Sequence, residues 1–117
     1  MTAAKTAAEN YIRVSREPDA AKRAALLEEC FAETGRVISR SRAIAGRAAI
    51  AEMFAAFFAD PQNVGVRVLS FDAAGNTFRF RVAVDRADGT SSEIFDAGAV
   101  DEDGRIAVIL TFVGPMP

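Results

Sequence analysis

The sequence predicts an α+β domain in which a strongly curved antiparallel sheet wraps around three helices drawn from the first half of the chain. Three observations carry that reading. Apolar residues recur at helical spacing up to residue 60 and at every second position from residue 64 onward. Glycine-containing turns separate the later segments. The last segment, IAVILTFV at 106–113, is apolar on both of its faces.

The first helix is expected over 3–15, where Ala4, Ala8, Tyr11 and Ile12 share a face. Glu17-Pro18-Asp19 interrupts it. Asp19 is placed to cap a second helix over 20–33, with Ala24, Leu27, Cys30 and Phe31 inward and Gly35 as its C-terminal stop. A short strand is expected at 36–40. A third helix then opens at Gly46 and closes at Asp60-Pro61, with Ile50, Met53, Phe54, Phe57 and Phe58 forming a wide apolar stripe.

The remaining segments read as four strands. Val64, Val66 and Val68 alternate with Gly65, Arg67 and Leu69. After the turn at 73–76, Phe78, Phe80, Val82 and Val84 alternate with Arg79, Arg81 and Ala83. A turn at 87–89 leads to EIFDAGAV, and Asp103-Gly104 leads to the final strand. Such an order is an antiparallel meander. A bent sheet over three helices makes a cone with an internal pocket, the shape that holds small ligands. Because one sheet face takes the helices, the two-sided apolar last strand points to a homodimer through the sheet.

Composition narrows the chemistry. The 117 residues suit one domain, 1–117, with half its residues hydrophobic and a net charge of −2. The 14 lysines and arginines are spread along the chain, so no nucleic-acid partner is expected. Histidine is absent and Cys30 is the only cysteine. These two facts exclude an internal disulfide, zinc sites of the usual kinds and histidine-based catalysis. No metal and no cofactor are expected. No apolar run reaches about 18 residues and the N-terminus lacks a signal-peptide core, so no membrane partner and a cytoplasmic location are expected.

Asp96 is the odd residue. It lies between Phe95 and Ala97 in a strand, and aspartate is depleted there. Alternation puts it on one face with Ile94 and Gly98. It is either a neutral acid facing a pocket, where desolvation raises its pKa, or a paired or solvated architectural residue. Tyr11 is either its partner in the pocket or a packing ring with a wet hydroxyl. Glu93, Arg79 and Arg81 alternate to the opposite face, where pairing across strands is expected. Asp101, Glu102 and Asp103 read as a solvated turn. Met53, Phe57, Phe80 and Ile94 are the expected pocket wall, with Arg40 beside them.

With Tyr11-Ile12, Ala45-Gly46-Arg47 followed by Ile50 and Phe54, and Ile94-Phe95-Asp96 followed by Asp101–Ile106, the chain resembles the nuclear transport factor 2-like superfamily. That superfamily includes ketosteroid isomerases and SnoaL-like polyketide cyclases. The resemblance spans nearly the whole chain and includes the family's Gly-Arg-x-x-Ile opening of the third helix. Ketosteroid isomerases form an oxyanion hole from a tyrosine and a protonated aspartic acid. The resemblance assigns these roles to Tyr11 and Asp96. It puts the position of the family's carboxylate base at Ser39, and serine is no base by itself. Three functions follow as expectations. One is a pocket protein for a small hydrophobic ligand bearing an oxygen. Another is an isomerase-, cyclase- or hydratase-like enzyme using Asp96, Tyr11 and Ser39. The last is a dimeric interaction module with no ligand.

Overall fold

In the computed structural model of the chain, residues 2–114 are described. Helix α1 (Ala3–Val14) starts where the Thr2 hydroxyl accepts from the Lys5 amide at 3.1 Å. Helix α2 (Ala20–Cys30) is capped by Asp19, whose carboxylate accepts from the Ala21 and Lys22 amides at 2.9 and 3.2 Å. Helix α3 (Arg47–Ala59) follows Gly46, which sits at φ +89°, a backbone conformation that favours glycine. Six strands complete the fold: β1 (Phe31–Ser39), β2 (Ala43–Ala45), β3 (Asn63–Ala74), β4 (Thr77–Arg86), β5 (Ser91–Val100) and β6 (Ile106–Val113).

Strand β2 lies outside the expected elements, β1 spans 31–39 rather than 36–40, and the end of α2 moves with it. Helix α2 stops at Cys30 rather than 33, because Phe31 is extended and opens β1 with its ring fully buried. Gly35 is therefore no helix stop but part of β1. A Cβ there would run into the Phe31 ring and lie 2.8 Å from the Ile106 carbonyl, so the glycine admits a close approach. The inward face of α2 also differs: Arg23 is buried and Ala24 exposed. Arg23 reaches under the helix start, donating to the Glu17 and Pro18 carbonyls at 3.0 and 2.9 Å, and its guanidinium lies 4.5 Å from the centre of the Phe58 ring.

The strands form one sheet in the order β2-β1-β6-β5-β4-β3. The last four make the expected antiparallel meander. The β1–β6 pair is parallel, so the sheet is mixed. Parallel neighbours need a long connection, and here α3 with β3–β5 supplies it.

Register decides what faces inward. One row across the sheet runs Ser39, Thr111, Asp96, Phe80, Phe71. The next inward row runs Val37, Ile109, Gly98, Phe78, Ala73. The absence of a side chain at Gly98 lets these rows close up, since a Cβ would strike the Val108 carbonyl and sit 2.7 Å from the Phe78 ring. The helices cover this concave face, with Ala4, Ala8, Tyr11, Leu27 and Ile50 in the same core.

The outer face is different. Arg67, Arg79 and Arg81 pair with Asp85, Asp72 and Glu93 at 2.8, 3.3 and 2.6 Å. The expected Arg81–Glu93 pair is thus present. Beside these pairs lie Phe95, Leu110 and Phe112, the last 59 % exposed. The Phe95 and Phe112 rings meet at 6.3 Å. Ile106 does not share this outer face as alternation implies. An irregularity between Ala99 and Val100 turns it inward, fully buried.

Candidate functional site

A cavity of about 320 Å³ lies between the concave sheet face and the helices. Its wall is mainly apolar. Helix α1 brings Tyr11 and Ile12; α3 brings Met53, Phe54 and Phe57; the sheet brings Phe80, Val82 and Ile94 among others. The helical spacing of the α3 residues and the two-residue spacing along β4 put both sets on their inward faces.

Asp96 sits in this wall at 6 % exposure. Across the strands its neighbour is Thr111, whose hydroxyl donates to Oδ1 of Asp96 at 2.5 Å. Burial pushes the Asp96 carboxyl up to about 6, although the Thr111 hydrogen bond pulls the other way. Among the described residues no cation pairs with it. The carboxyl is therefore held by one hydroxyl and otherwise faces an apolar space.

Tyr11 is 5 % exposed, its ring against Phe54 at 5.5 Å and Phe31 at 5.7 Å. Its pKa is raised well above the usual tyrosine value, first by burial, then by the Asp96 charge, then by Cys30. The hydroxyl thus stays protonated and remains a donor. Tyr11 and Asp96 line the same cavity and feel each other electrostatically, with no hydrogen bond between them.

Ser39 also lines the cavity. Its hydroxyl donates to the Arg42 carbonyl at 3.2 Å, and the same carbonyl accepts from the Ser39 amide at 2.9 Å. What it can offer the cavity is an acceptor oxygen. Arg40 is exposed in the tight β1–β2 turn and does not line the cavity. Arg42 does, because the turn closed between Ser39 and Arg42 leaves Arg40 outside and brings its second neighbour to the mouth. The arginine at the cavity is thus Arg42 and not the expected Arg40.

Met53, Phe57, Phe80 and Ile94 stand in the wall as expected. Thr111 was missed, though a signal exists: it is the lone polar residue in IAVILTFV, and the 101–105 turn sets it opposite Asp96. Ser15 and Val66 were missed as well, with no comparable signal.

Fold and cavity together define a cone-shaped pocket domain. No family model matches the chain, and no curated protein sequence matches it significantly. Solved structures do. A SnoaL-like family protein from Agrobacterium tumefaciens, provisionally described as an isomerase, is 27 % identical with a TM-score of 0.79, covering 98 % of this chain and 100 % of its own. A SnoaL-like protein from Jannaschia, provisionally described as a polyketide cyclase, is 16 % identical with a TM-score of 0.73, covering 94 % and 87 %. A designed protein with a curved β-sheet is 15 % identical with a TM-score of 0.75, covering 93 % and 85 %. The last two show the fold alone. The chain has the nuclear transport factor 2-like fold in its SnoaL-like form.

Proposed function

We propose that this chain is a small-molecule-binding protein whose cavity takes an apolar compound with an oxygen set against Tyr11 and Asp96. The observation that carries this reading is a carboxyl and a phenol, both nearly inaccessible from bulk solvent, sharing one apolar cavity of about 320 Å³. Burying a carboxyl with a single hydroxyl partner is costly, and packing alone gives no return for it. Met53, Phe57, Phe80 and Ile94 would hold the apolar body.

The test is binding of 2-naphthol by the wild type, Tyr11→Phe and Asp96→Leu. Losing one hydrogen bond in a dry site is worth about 1 kcal/mol or more, so each variant should bind about five- to tenfold more weakly. Undiminished binding in both would remove Tyr11 and Asp96 from the site.

A second reading is enzymatic, with Asp96 as general acid or base and Tyr11 and Ser39 orienting substrate or water. The Asp96 value of about 6 favours it, because proton transfer works best near the operating pH. Isomerase- and cyclase-type reactions of carbonyl compounds fit the Tyr11 donor, joined by Asp96 where it is protonated, beside an apolar wall.

The outer sheet face supports a homodimer as part of the same proposal. Phe112 and Leu110 are 59 % and 43 % exposed there, flanked by the ion-paired arginines. Phe112→Asp should convert a dimer to a monomer in sedimentation; a monomeric wild type would end the proposal.

A further inference from the structure

Four arginines pair with carboxylates among the described residues, Arg86 with Asp60 and three others on the outer sheet face. On the outer sheet face Arg67, Arg79 and Arg81 each have a carboxylate partner. The cavity has other arginines beside it. Arg42 lines it, and Arg16 donates to the carbonyl of Val66, a lining residue, at 3.1 Å. Among the described residues neither is in an ion pair. Asp96 is the one acid in the lining, and its Oδ1 is already bonded to Thr111.

The polarity of the cavity is therefore directional. Its interior is aromatic and aliphatic apart from the Tyr11 hydroxyl, Asp96 and Thr111. Its exposed end carries Arg42 with the hydroxyls of Ser39 and Ser41. A guanidinium is a fixed fork of donors matched to a carboxylate. Next to an apolar wall, an anion held there is less screened than on open surface.

We propose that the cavity selects amphipathic carboxylates, with the apolar body inside and the carboxylate on Arg42. This rests on the reading of the cavity as a ligand site and adds the charge of the ligand. Arg42 is then a specificity-determining residue. It is exposed, so replacing it does not disturb the core.

The test uses a matched pair of probes, 2-naphthoate and 2-naphthalenemethanol, which differ in charge and share the ring system. Met53 is the one methionine among the described residues and lines the cavity, so its ¹³C-labelled methyl reports occupancy of this site and ignores the outer face. Both probes should shift that methyl. Wild type should bind naphthoate about tenfold more tightly than the alcohol, a typical gain for a charge-assisted contact. Arg42→Gln should bring the two to parity by weakening naphthoate and leaving the alcohol within about twofold. Arg79→Gln, on the outer face, should change neither. Raised salt should weaken naphthoate alone.

Equal affinities in wild type, or a preference that survives Arg42→Gln, would overturn the selection of anions while the occupied cavity still stands. A Met53 methyl that neither probe moves would overturn the ligand site itself, and the anion preference with it.

Discussion

Asp96→Asn tests the buried carboxyl through stability. Its native pKa is about 6 against an ordinary 3.8. The sign follows from proton binding. Below pH 3.8 the carboxyl is protonated in both states and contributes nothing to pH dependence. Between about 4 and 6 the unfolded chain loses its proton first, so the native state binds more protons and stability falls as pH rises. Above 6 both forms are ionised and the loss is complete. The difference of about 2 units, at about 1.36 kcal/mol each, makes the full effect about 3 kcal/mol. About 2 kcal/mol of that falls between pH 4.5 and 7.5. Asparagine keeps an acceptor for Thr111 and cannot ionise. The assay is urea unfolding of wild type and variant across that range. All other titrating groups are common to both proteins and cancel in the difference. The variant should gain about 2 kcal/mol on wild type as pH rises. A difference that stays flat, or that moves in favour of wild type, would refute a desolvated Asp96.

Three further outcomes follow from the same geometry. Thr111→Val removes the one hydrogen bond that lowers the Asp96 pKa, so the carboxyl should titrate above about 6, read by carboxyl ¹³C NMR. Gly98→Ala drives a methyl into the Val108 carbonyl and the Phe78 ring and should cost about 2 kcal/mol or more. Gly65→Ala, with open space around it, is the matched control, and equal melting temperatures for the two variants would sink the argument. Cys30 is buried and its thiol is pushed up to about 12, first by burial, so Ellman's reagent should react with it only at the rate of unfolding.

Much of the fold was legible because its periodicities are clean. The β4 run from Phe78 to Val84 alternates without a break, and Phe78, Phe80, Val82 and Val84 are buried as alternation marks, with Ala83 of the other face buried too. Met53, Phe54 and Phe57 of the α3 stripe likewise face the cavity. Illegible features depend on contacts distant in sequence. Phe31 leaves its helix because a strand partner, Ile106, lies 75 residues on. Ala24 yields its place to Arg23 because Phe58, on another helix, receives the guanidinium. The choice between Arg40 and Arg42 is set by a turn closed with a backbone bond from Ser39 to Arg42, and nothing in the RSRAIA stretch marks which arginine the turn exposes. In the site, Asp96 announced itself as a charge in an apolar strand. Thr111 is marked only as the lone polar residue of IAVILTFV, and its importance lies in being opposite Asp96.

The register also says what the likeness to ketosteroid isomerases is worth. Ser39, Thr111 and Asp96 stand in one row on three adjacent strands. Neighbouring strands are about 4.8 Å apart, so residues 39 and 96 are roughly 10 Å apart along the sheet. That gap is wide enough for a substrate ring to lie over Thr111 with a base at one end and, at the other, the Tyr11 hydroxyl and an Asp96 carboxyl that donates where it is protonated, below about pH 6. Ser39→Asp puts a carboxylate where the resemblance places the base and breaks only the turn hydrogen bond from the Ser39 hydroxyl to the Arg42 carbonyl. The variant should acquire turnover of a Δ5-3-ketosteroid above the wild-type background, with its activity lost again in Ser39→Asp/Tyr11→Phe. If the variant is folded, binds the steroid and stays silent, the donor pair is not placed for an oxyanion, and the likeness to the isomerases ends at the fold.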